Sequence, residues 1–495
     1  MLLSCYYPQV ESAKDCEISS VTSDTRQVRP GSLFVCIRGA KFDGHAHVAE
    51  AEQKGAAAVV AAREVPCGLP LFVVANTRAE YGRLCARFWG DPASRMRLIG
   101  VTGTNGKTTI TSVVKQILAH AGRTAGLIGT IQNEIGELVI PAKFTTPDPA
   151  ELHALFARME RAGCGYVSME VSSMALDQDR LSGCRFAVGV FTNLTQDHLD
   201  YHGSMEAYFA AKCRLFGQTD TAVVNLDDPY GRQLLARLPA GCRPVTYSGG
   251  DAAADFYASN VRCHARGVDF TLHAGGVAYE VRFCMPGLYS VENALAAIAA
   301  AVSAGLSVGE AVDGANACHG VRGRMEVLPT DTPYTVICDY AHSSDSLAKA
   351  LSTVKGFAEG KVWALFGPAG CRDRTKRPKM AAAAARNADF VVLTSDNPRG
   401  EEPGQILDDA EPGFEGIGTP YIKIVDRYEA IRWVLGRAQP GDVVVLCGKG
   451  HEDYQVLADK TVCFDEHVIV QELLRNPNAR RPPLIPKPTG QAKAT

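Results

Sequence analysis

The feature that most constrains the fold of this chain is a short glycine-containing segment between an apolar run and a helical pattern. Residues 98–102 read as a strand, and apolar residues recur at helical spacing after residue 109. The segment between them is Gly-Thr-Asn-Gly-Lys-Thr-Thr, residues 103–109. At such a junction the free amides and the dipole of the helix favour an anion, and the glycines let the backbone approach phosphates. The segment therefore predicts a site for a nucleoside triphosphate.

This segment departs from the usual phosphate-binding pattern at one position. The pattern G-x-x-x-x-G-K-[ST] has its first glycine where this chain has Val101. An ordinary glycine-rich turn is the alternative, but the flanking strand and helix favour phosphate binding. The residues of this segment predicted to contact ATP are Gly103, Thr104, Asn105, Gly106, Lys107, Thr108 and Thr109.

Size and composition limit the classes of protein to which the chain can belong. With 495 residues it is long enough for about three domains of roughly 100 to 200 residues each. The formal net charge of -3 gives no sign of a surface for nucleic acid. No apolar run approaches the roughly 18 residues that span a bilayer, and the N-terminus lacks a signal pattern, so we expect a cytoplasmic protein without membrane insertion. The sixteen cysteines include no Cys-x-x-Cys pair, and we expect them to be reduced and buried.

Polar residues follow two predicted strands of the nucleotide-binding region. Glu170 ends a buried strand, and ligands gather at the carboxyl ends of strands in an open parallel sheet, so we expect Glu170 near a metal ion held by the triphosphate. After the strand at 186–193, residues 197–202 hold two acids and two histidines. They form either a solvated loop or a set of metal ligands, and their place after a strand favours metal ligation. Lys212 lies in the next amphipathic helix, where spacing alone indicates only a solvated lysine.

The C-terminal part predicts a second sheet with charged loops at one edge. Four apolar runs alternate with helical patterns, as is typical of a doubly wound sheet, at residues 335–342, 362–367, 389–396 and 442–448. The basic run 372–377 would by itself indicate a solvated face, but it follows one of these strands. Arg372 and Arg399 are suited to binding a carboxylate, and Asp396, Asn397 and Glu452 are suited to binding an ammonium. We therefore predict a pocket for an amino acid with more than one charged end.

Several segments resemble known families. Gly-Thr-Asn-Gly-Lys-Thr-Thr resembles the sequence motif by which the Mur ligases and the folylpolyglutamate synthetases are recognised. Residues 208–216 match the Tyr-Phe-x-x-Lys-x-x-Leu-Phe segment of the Mur ligases, and Asp-Asn-Pro-Arg at 396–399 is similar to the signature of members that add meso-diaminopimelate. The chain resembles the Mur ligases over its whole length.

The resemblance implies an α/β fold of three domains, with a central P-loop-type nucleotide-binding parallel sheet and a C-terminal Rossmann-like doubly wound sheet. Residues 1–93 would bind the uridine-nucleotide substrate, residues 94–322 would bind ATP, and residues 323–475 would bind the amino acid. A flexible tail would follow at 476–495.

The resemblance also implies roles for single residues. The catalytic residues would be Lys107, Glu170, His198 and Lys212. Mg²⁺ would be held by Thr108, Glu170, His198 and a carbamylated Lys212. Further ATP contacts are implied for Asn293, Arg324, Asp339 and His342. Contacts to the uridine-nucleotide precursor are implied for Ser23, Thr25, Thr145, Thr146, Ser172, Gln178 and Arg180. Contacts to diaminopimelate are implied for Arg372, Asp396, Asn397, Pro398, Arg399, Gly448 and Glu452. The chain departs from the family pattern at Thr25, Ser32, Met174, Ala175, Ser290 and Ser344.

The activity implied by the resemblance is an ATP-dependent ligation in cytoplasmic peptidoglycan precursor synthesis, carried out by a monomer. The γ-carboxylate of UDP-N-acetylmuramoyl-L-alanyl-D-glutamate would become an acyl phosphate and then react with an amine of meso-diaminopimelate. Arg324 and His342 would close over the nucleotide. One alternative is a member that adds L-lysine, and another is a folylpolyglutamate synthetase, which lacks a separate N-terminal uridine-binding domain. A switch protein that binds ATP without making a bond is a third alternative, but it leaves the amino-acid pocket unexplained.

Overall fold

The structure is a computed structural model that describes residues 1–10, 14–39, 42–479, 481 and 483–487. The chain divides into two compact units. The first unit contains Met1–Ser248, Ala253–Asp255 and Ala296–Ala311. The second unit contains Gly249–Ala252, Phe256–Leu295 and Val312–Thr495.

A small parallel sheet begins the first unit. Its strands pair in the order of the chain and are β1 (Ser20–Thr22), β2 (Ser32–Val35), β3 (Ala56–Ala61) and β4 (Leu71–Val73). Helices α1 (Val48–Gln53) and α2 (Thr77–Phe88) accompany it. Residues of β2 and β3 are buried on both faces, as their unbroken apolar runs require.

A second, larger sheet of the first unit positions the nucleotide-binding segment. Its strands are β5 (Arg97–Thr102), β6 (Ala125–Ile128), β7 (Gln132–Ile135), β8 (Leu138–Pro141), β9 (Tyr166–Glu170), β10 (Phe186–Phe191), β11 (Thr219–Asn225) and β12 (Arg243–Ser248). The order is β12-β11-β10-β5-β9-β6-β7-β8, in which only β7 and β8 run antiparallel to their neighbours. Because β5 lies between β10 and β9, the segment after β5 meets the carboxyl ends of both neighbours.

The helices of this region connect its strands. They are α3 (Lys107–His120), α4 (Pro149–Arg161), α5 (Ser173–Asp177), α6 (Leu199–His202), α7 (Met205–Cys213) and α8 (Pro229–Leu235). Asp148, Ser172 and Ser204 cap α4, α5 and α7 through their side chains. One hydrophobic core contains Phe156 of α4, Phe191 of β10 and Phe209 of α7.

The second unit begins with an antiparallel meander of β13 (Phe256–His264), β14 (Gly267–Ala274) and β15 (Val277–Phe283). Helices α9 (Leu288–Ser303) and α10 (Val308–Asn316) contribute residues to both units. Helix α9 begins directly after Gly287, whose φ of 103° makes the turn.

The rest of the second unit is a Rossmann-like sheet. Its strands are β16 (Glu326–Val327), β17 (Thr335–Asp339), β18 (Val362–Phe366), β19 (Phe390–Leu393), β20 (Tyr421–Lys423) and β21 (Val443–Cys447), and a hairpin of β22 (Tyr454–Val456) and β23 (Thr461–Cys463) follows. The order is β16-β17-β21-β18-β19-β20, with only β16 antiparallel. Helices α11 (Ser344–Lys355), α12 (Lys376–Asn387) and α13 (Pro403–Ala410) join one hydrophobic core, and α14 (Arg427–Leu435) and α15 (Glu466–Arg475) join the other. The helices therefore cover both faces, and the predicted doubly wound sheet is confirmed.

Part of the tail that begins at residue 476 is paired: Cys463 N donates to the Ile485 carbonyl and Lys487 N donates to the Thr461 carbonyl, both at 2.9 Å. Its flexibility stays a prediction. Residues 480, 482 and 488–495 of that tail lie outside the described residues. The cysteines are not all buried, since Cys5, Cys371 and Cys463 are exposed. The predicted boundaries at 93/94 and 322/323 differ from the two compact units and stay predictions.

Over the residues that the structure describes, no helix is long and apolar enough to cross a membrane.

Candidate active site

The segment after β5 forms a closed loop at the N-terminus of α3. Gly106 has a φ of 87° and precedes the first helical residue, Lys107. Gly103 has a φ of 148°, and a Cβ there would clash with the Thr192 hydroxyl. Lys107 Nζ donates to the carbonyls of Gly103 and Thr104, each at 2.9 Å. The loop therefore presents helix amides and an ammonium, the groups that bind phosphates.

The residues that follow β10 support this loop. Thr104 N donates to the Asn193 carbonyl at 2.9 Å, and Asn105 N donates to Asn193 Oδ1 at 3.0 Å. Thr192 Oγ1 donates to the Asn105 carbonyl at 2.6 Å. Sequence reasoning did not identify Asn193, although its position after a strand next to β5 was a usable signal.

Glu170 lies at the end of β9 and is only 1% exposed. Its carboxylate accepts hydrogen bonds from Thr108 Oγ1 at 3.0 Å, from Thr130 N at 2.7 Å and from Thr130 Oγ1 at 3.1 Å. Gly129 leaves room for it, since a Cβ there would lie 2.6 Å from Glu170 Oε1. Glu170 thus lies beside the loop, and its contact with a metal ion held by the triphosphate stays a prediction. Thr130, which follows β6, was not predicted.

The oxygen donors of Thr108 and Glu170 fit Mg²⁺. This ion prefers oxygen ligands and is usually held by one or two carboxylates together with substrate phosphates. In the part of the chain that the structure describes, no group of three or more His, Cys, Asp or Glu side chains is arranged to hold a metal ion. A magnesium ion here would therefore depend on phosphate oxygens for its remaining ligands.

Lys212 of α7 is buried, so the solvated position indicated by spacing alone is wrong. Its Nζ donates to the Gly103 carbonyl at 2.8 Å and lies 4.5 Å from the centre of the Tyr208 ring. Burial, followed by the positive charge of Lys107, holds the pKa of Lys212 well below its usual value. The amine next to the phosphate-binding loop is thus driven towards its neutral form, and its carbamylation stays a prediction.

The histidines after β10 lie in different surroundings. His198 has a φ of 52°, and 46% of its side chain is exposed. Its ring contacts Tyr208 edge-on with 6.2 Å between centres. His202 stacks on the same ring at 5.0 Å and is 2.9 Å from Ser173 Oγ. His198 and Lys212 therefore share Tyr208 as a neighbour, and metal ligation by His198 stays a prediction.

Three of the residues predicted for the precursor surround the end of β9. Thr146 Oγ1 donates to the Glu170 carbonyl at 2.8 Å and accepts from Ser172 N at 3.0 Å. Thr145 Oγ1 lies 3.0 Å from Thr130 Oγ1. Ser172 Oγ accepts from Ala175 N as the cap of α5. These hydroxyls thus set the shape of the loop that follows Glu170.

Gln178 and Arg180 form a second cluster. Arg180 donates to Gln178 Oε1 at 2.8 Å and to the Thr146 carbonyl at 2.9 Å, and its guanidinium lies 5.7 Å from the centre of the Phe144 ring. Gln178 Nε2 donates to the hydroxyl of Tyr201 at 3.2 Å. Phe144 and Tyr201 are 54% and 40% exposed.

The other two precursor residues lie in the N-terminal sheet region. Thr25 is buried at the start of a short 3-10 helix, and its carbonyl accepts from Lys54 Nζ at 3.0 Å. Tyr81 of α2 is buried, and burial raises its pKa while the neighbouring Ser23 lowers it. The contact of Ser23 and Thr25 with a uridine nucleotide stays a prediction.

The second unit carries the remaining residues predicted for ATP. Asp339 ends β17 and accepts from the amides of Met325 at 2.7 Å and Ala341 at 2.9 Å. Burial raises the pKa of Asp339. The Arg324 guanidinium lies 5.2 Å from the centre of the Tyr340 ring, and His342 Nδ1 lies 2.8 Å from the Tyr340 carbonyl. Asn293 is buried in α9.

The loops after β19 and β21 meet in the second unit. Asn397 Nδ2 donates to Glu452 Oε2 at 3.0 Å, and Asn397 Oδ1 accepts from Val456 N at 2.9 Å. Pro398 lies against Gly370, where a Cβ would clash with the Pro398 carbonyl. Arg399 has a φ of 54° and donates to the Gly370 carbonyl at 3.1 Å. Gly448 has a φ of 111° and faces Asp396.

One cation in this pocket was not predicted. Lys449 Nζ lies 3.2 Å from Asp396 Oδ1 and 3.6 Å from Glu452 Oε2, and its side chain is fully buried. The acceptors predicted for the ammonium of a ligand are therefore partly occupied by an ammonium of the chain itself. The signal for Lys449 was its place in a Gly-Lys-Gly turn directly after a buried strand.

The basic run divides into two kinds of residue. Arg377 is buried and pairs with Glu401 at 2.8 Å and with Asp409 at 2.7 Å, and Arg374 pairs with Glu401 at 2.9 Å. The hydrogen bond from Arg377, followed by that from the Cys371 amide, lowers the pKa of Glu401 to about 2. Arg372 is exposed. The Arg374 side chain is also exposed, at 63%, but it is paired with Glu401, whereas Arg377 is buried.

A phosphate-binding loop beside a buried acid, at the carboxyl ends of the strands of a parallel sheet, defines a P-loop-type nucleotide-binding protein. Three family models identify the class more closely. The Mur ligase family, catalytic domain, matches residues 17–80; the Mur ligase middle domain matches residues 101–301; and the Mur ligase, glutamate ligase domain, matches residues 323–450. The chain belongs to the Mur ligase family.

Individual relatives are similar over almost the whole chain. UDP-N-acetylmuramoyl-L-alanyl-D-glutamate--2,6-diaminopimelate ligase of Geobacillus thermodenitrificans is 43% identical over 470 residues, which cover 93% of this chain and 95% of the relative. A solved structure of a ligase with the same name is 33% identical, has a TM-score of 0.76 and covers 97% of this chain and 100% of that chain. The MurF ligase from Thermotoga maritima in complex with ADP, at 16% identity and a TM-score of 0.59, covers 94% of this chain and 99% of that chain and shows the fold alone. The predicted α/β fold of the family is thereby confirmed.

Proposed function

We propose that this chain is an ATP-dependent ligase that joins UDP-N-acetylmuramoyl-L-alanyl-D-glutamate to meso-diaminopimelate. It would act as a cytoplasmic monomer in peptidoglycan precursor synthesis. Support comes from the family, from the relatives named for this reaction and from the phosphate-binding loop beside Glu170. The observation that carries the choice of amino acid is the cluster of Asp396, Asn397, Arg399 and Glu452, which offers both signs of charge in one place.

The reaction begins with activation of the γ-carboxylate of D-glutamate. A carboxylate does not react with an amine at neutral pH, so one of its oxygens first attacks the γ-phosphorus of ATP, and ADP leaves. Lys107 and the amides at the start of α3 bind the phosphates and stabilise the charge that develops on them. Mg²⁺, when bound by Thr108 and Glu170, supplies further neutralisation of phosphate charge.

The second step forms the peptide bond. The neutral amine of diaminopimelate attacks the acyl carbon, inorganic phosphate leaves, and the amine loses a proton. Arg372 and Arg399 would orient the carboxylates of diaminopimelate, and Glu452 would bind its ammonium. Thr145, Thr146, Ser172, Gln178 and Arg180 would orient the peptide and sugar of the precursor, with Ser23 and Thr25 at the uridine. Asn293, Arg324, Asp339 and His342 would contact the nucleotide.

An assay of ADP release tests the proposed function. We expect release only when the precursor and meso-diaminopimelate are both present, and less than a tenth of that rate with L-lysine or ornithine. Equal rates with lysine would identify the lysine-adding activity. ADP release that does not need the precursor, without an adduct, would identify a switch protein instead.

Lys107→Ala tests the phosphate-binding loop in the same assay. We expect turnover at saturating substrates to fall by at least about 100-fold, because the variant lacks a positive charge at the phosphates. Lys115→Ala, on the same helix and paired with Glu134, is the matched control and should stay within threefold of the wild type. A Lys107→Ala rate within threefold, or under about 1 kcal/mol of activation free energy, would show that the loop is not catalytic.

Arg399→Ala tests the amino-acid pocket. We expect the KM for diaminopimelate to rise at least about tenfold with the KM for ATP unchanged, since a bidentate partner of a carboxylate is lost. Arg386→Ala, an exposed arginine on α12, should leave both values unchanged. Unchanged kinetics for diaminopimelate in Arg399→Ala would remove this residue from the pocket.

A further inference from the structure

Lys449 is held inside the second unit by four oxygens. Its Nζ donates to the Tyr454 carbonyl at 2.8 Å and to Asn397 Oδ1 at 3.2 Å, in addition to its ion pairs with Asp396 and Glu452. Its side chain has no exposed surface. A lysine is almost never fully buried unless it is paired, so these oxygens are what keep the ammonium inside the protein.

The contacts of Lys449 join two loops that come from different strands. Asp396 and Asn397 follow β19, whereas Glu452 and Tyr454 follow β21. The rings of Tyr454 and Phe464 have their centres 5.9 Å and 5.8 Å from Nζ, so apolar surface covers the ammonium. The position of Asn397, and with it the start of the Pro398-Arg399 turn, thus depends on a lysine that no ligand needs to touch.

The charges of Asp396 and Glu452 match a single ligand ammonium only when the ammonium of Lys449 is included in the count. Asp396 is the closer carboxylate, at 3.2 Å against 3.6 Å for Glu452. The two carboxylates and one ammonium leave a single negative charge, which matches one ligand ammonium. Without Lys449 the two carboxylates would present two negative charges to that ammonium and would also repel the nearby carboxylates of the ligand.

Diaminopimelate in its reacting form has the complementary charges. It carries two carboxylates, one ammonium and one neutral amine, because the attacking nitrogen must be deprotonated. Arg372 and Arg399 supply two positive charges for the carboxylates. L-Lysine in the same state has only one carboxylate, so a pocket with excess negative charge disfavours diaminopimelate more than lysine.

We infer that Lys449 is a positioning and specificity-determining residue that neutralises Asp396, holds Asn397 against Glu452 and leaves Glu452 to bind the ammonium of the amino-acid substrate. This role rests on the proposed function. It acts through the neighbouring side chains, because Lys449 itself is sealed from the pocket.

The test compares Lys449→Met with the double variant Lys449→Met/Asp396→Asn in the ADP-release assay. In the single variant we expect the KM for meso-diaminopimelate to rise at least tenfold, the KM for ATP to stay within twofold and kcat to fall less than the KM rises. In the double variant, which removes both charges, we expect the KM for diaminopimelate to recover at least threefold from that of the single variant. Lys423→Met, which removes an exposed lysine paired with Asp408 and Glu411, is the control and should change none of these values.

The outcomes separate this inference from the proposed function. A wild-type protein that releases no ADP with precursor and diaminopimelate would refute the proposed function. An active wild type with a KM within twofold in Lys449→Met, or a double variant no better than the single variant, would overturn the role of Lys449 alone. If Lys449→Met does not fold, the test rests on Lys449→Met/Asp396→Asn. A KM for meso-diaminopimelate within tenfold of the wild-type value then supports the role of Lys449, and a larger rise overturns it.

Discussion

Lys212 and Lys449 are both buried, and their neighbours differ in charge. Lys449 has carboxylates beside it, whereas Lys212 has the ring of Tyr208, a backbone carbonyl and the positive charge of Lys107. The environment of Lys212 therefore favours a neutral amine, which is the form that reacts with carbon dioxide. A carbamate would replace this buried amine by an anion that offers oxygens next to the phosphate-binding loop.

We predict that Lys212 is carbamylated in solution. Wild-type protein equilibrated with ¹³C-labelled bicarbonate should show a carbamate carbon resonance, because burial lowers the pKa of Lys212 and so favours the neutral amine. The resonance should be absent in Lys212→Gln. It should remain in the control variant Lys115→Gln, because Lys115 of the wild type is paired with Glu134 and is not the predicted site of modification. An identical spectrum for wild type and Lys212→Gln would show that the amine is unmodified.

The sequence allowed some of these residue positions to be predicted and not others. Glu170 could be singled out because the rule for ligands at strand ends needs only the local pattern, and it lies beside Thr108, while its metal contact stays a prediction. The burial of Lys212 depends on contact with Gly103, which is 109 positions away along the chain, so no helical period reveals it. Lys449 was overlooked for the same reason, since its partners Asp396 and Asn397 lie on another strand's loop.

At the scale of elements, a buried ion pair joins the starts of α14 and α15. Arg427 Nε donates to Glu466 Oε1 at 2.7 Å, and both side chains are fully buried. Arg427 also donates to the carbonyl of Cys447 at the end of β21 and to that of Ser395 after β19. The pair thus fixes two helices against the strand ends that precede the pocket loops.

We predict that Arg427→Met destabilises the second unit by about 3–5 kcal/mol, because it leaves the Glu466 carboxylate buried without its partner. The double variant Arg427→Met/Glu466→Met should recover most of that loss, since both charges are gone. Unfolding in urea, followed by far-ultraviolet circular dichroism, measures both values. A double variant as unstable as the single one would show that the carbonyl contacts of Arg427, and not its pairing with Glu466, provide the stability.

The elements themselves were predicted unevenly. Strands with unbroken apolar runs, such as β5, β9 and β21, were found because burial on both faces leaves a clear pattern. The edge hairpin β7–β8 was missed, since β8 is largely exposed and has no such run. The start of α9 has no such run either; there the Ser290 hydroxyl donates to the Pro286 carbonyl.

At the scale of the whole molecule, two histidines give the units opposite responses to pH. Burial lowers the pKa of His153 in the first unit from 6.5 to about 4. Burial would also lower the pKa of His467 in the second unit, but hydrogen bonds to Asp465 and Glu326 outweigh it and raise the pKa to about 9. Folding therefore favours the neutral form of His153 and the protonated form of His467.

We predict that stability falls on both sides of neutrality for these reasons. Between pH 6.5 and 4 the unfolded chain binds a proton that the folded His153 does not, so stability decreases as pH falls, by at most about 3 kcal/mol. Between pH 6.5 and 9 the folded His467 keeps a proton that the unfolded chain loses, so stability decreases as pH rises. The unfolding free energy of the wild type minus that of His153→Leu should decrease as pH falls from 6.5 to 4. The unfolding free energy of the wild type minus that of His467→Gln should decrease as pH rises from 6.5 to 9. Differences that do not change with pH would contradict both assignments.

The phosphate-binding loop is already ordered by the protein's own hydrogen bonds. The Asn193 carbonyl and side chain bind two of its amides, Thr192 closes on Gly103 and Asn105, and Lys107 is folded onto the carbonyls of Gly103 and Thr104. Ordering a flexible segment costs roughly 1–2 kcal/mol per residue in backbone entropy, and a loop of this kind avoids that cost when the nucleotide arrives. Calorimetry of nucleotide binding should accordingly show no large entropic penalty from this loop, and the ammonium of Lys107 should exchange carbonyl partners for phosphate oxygens without refolding of the backbone.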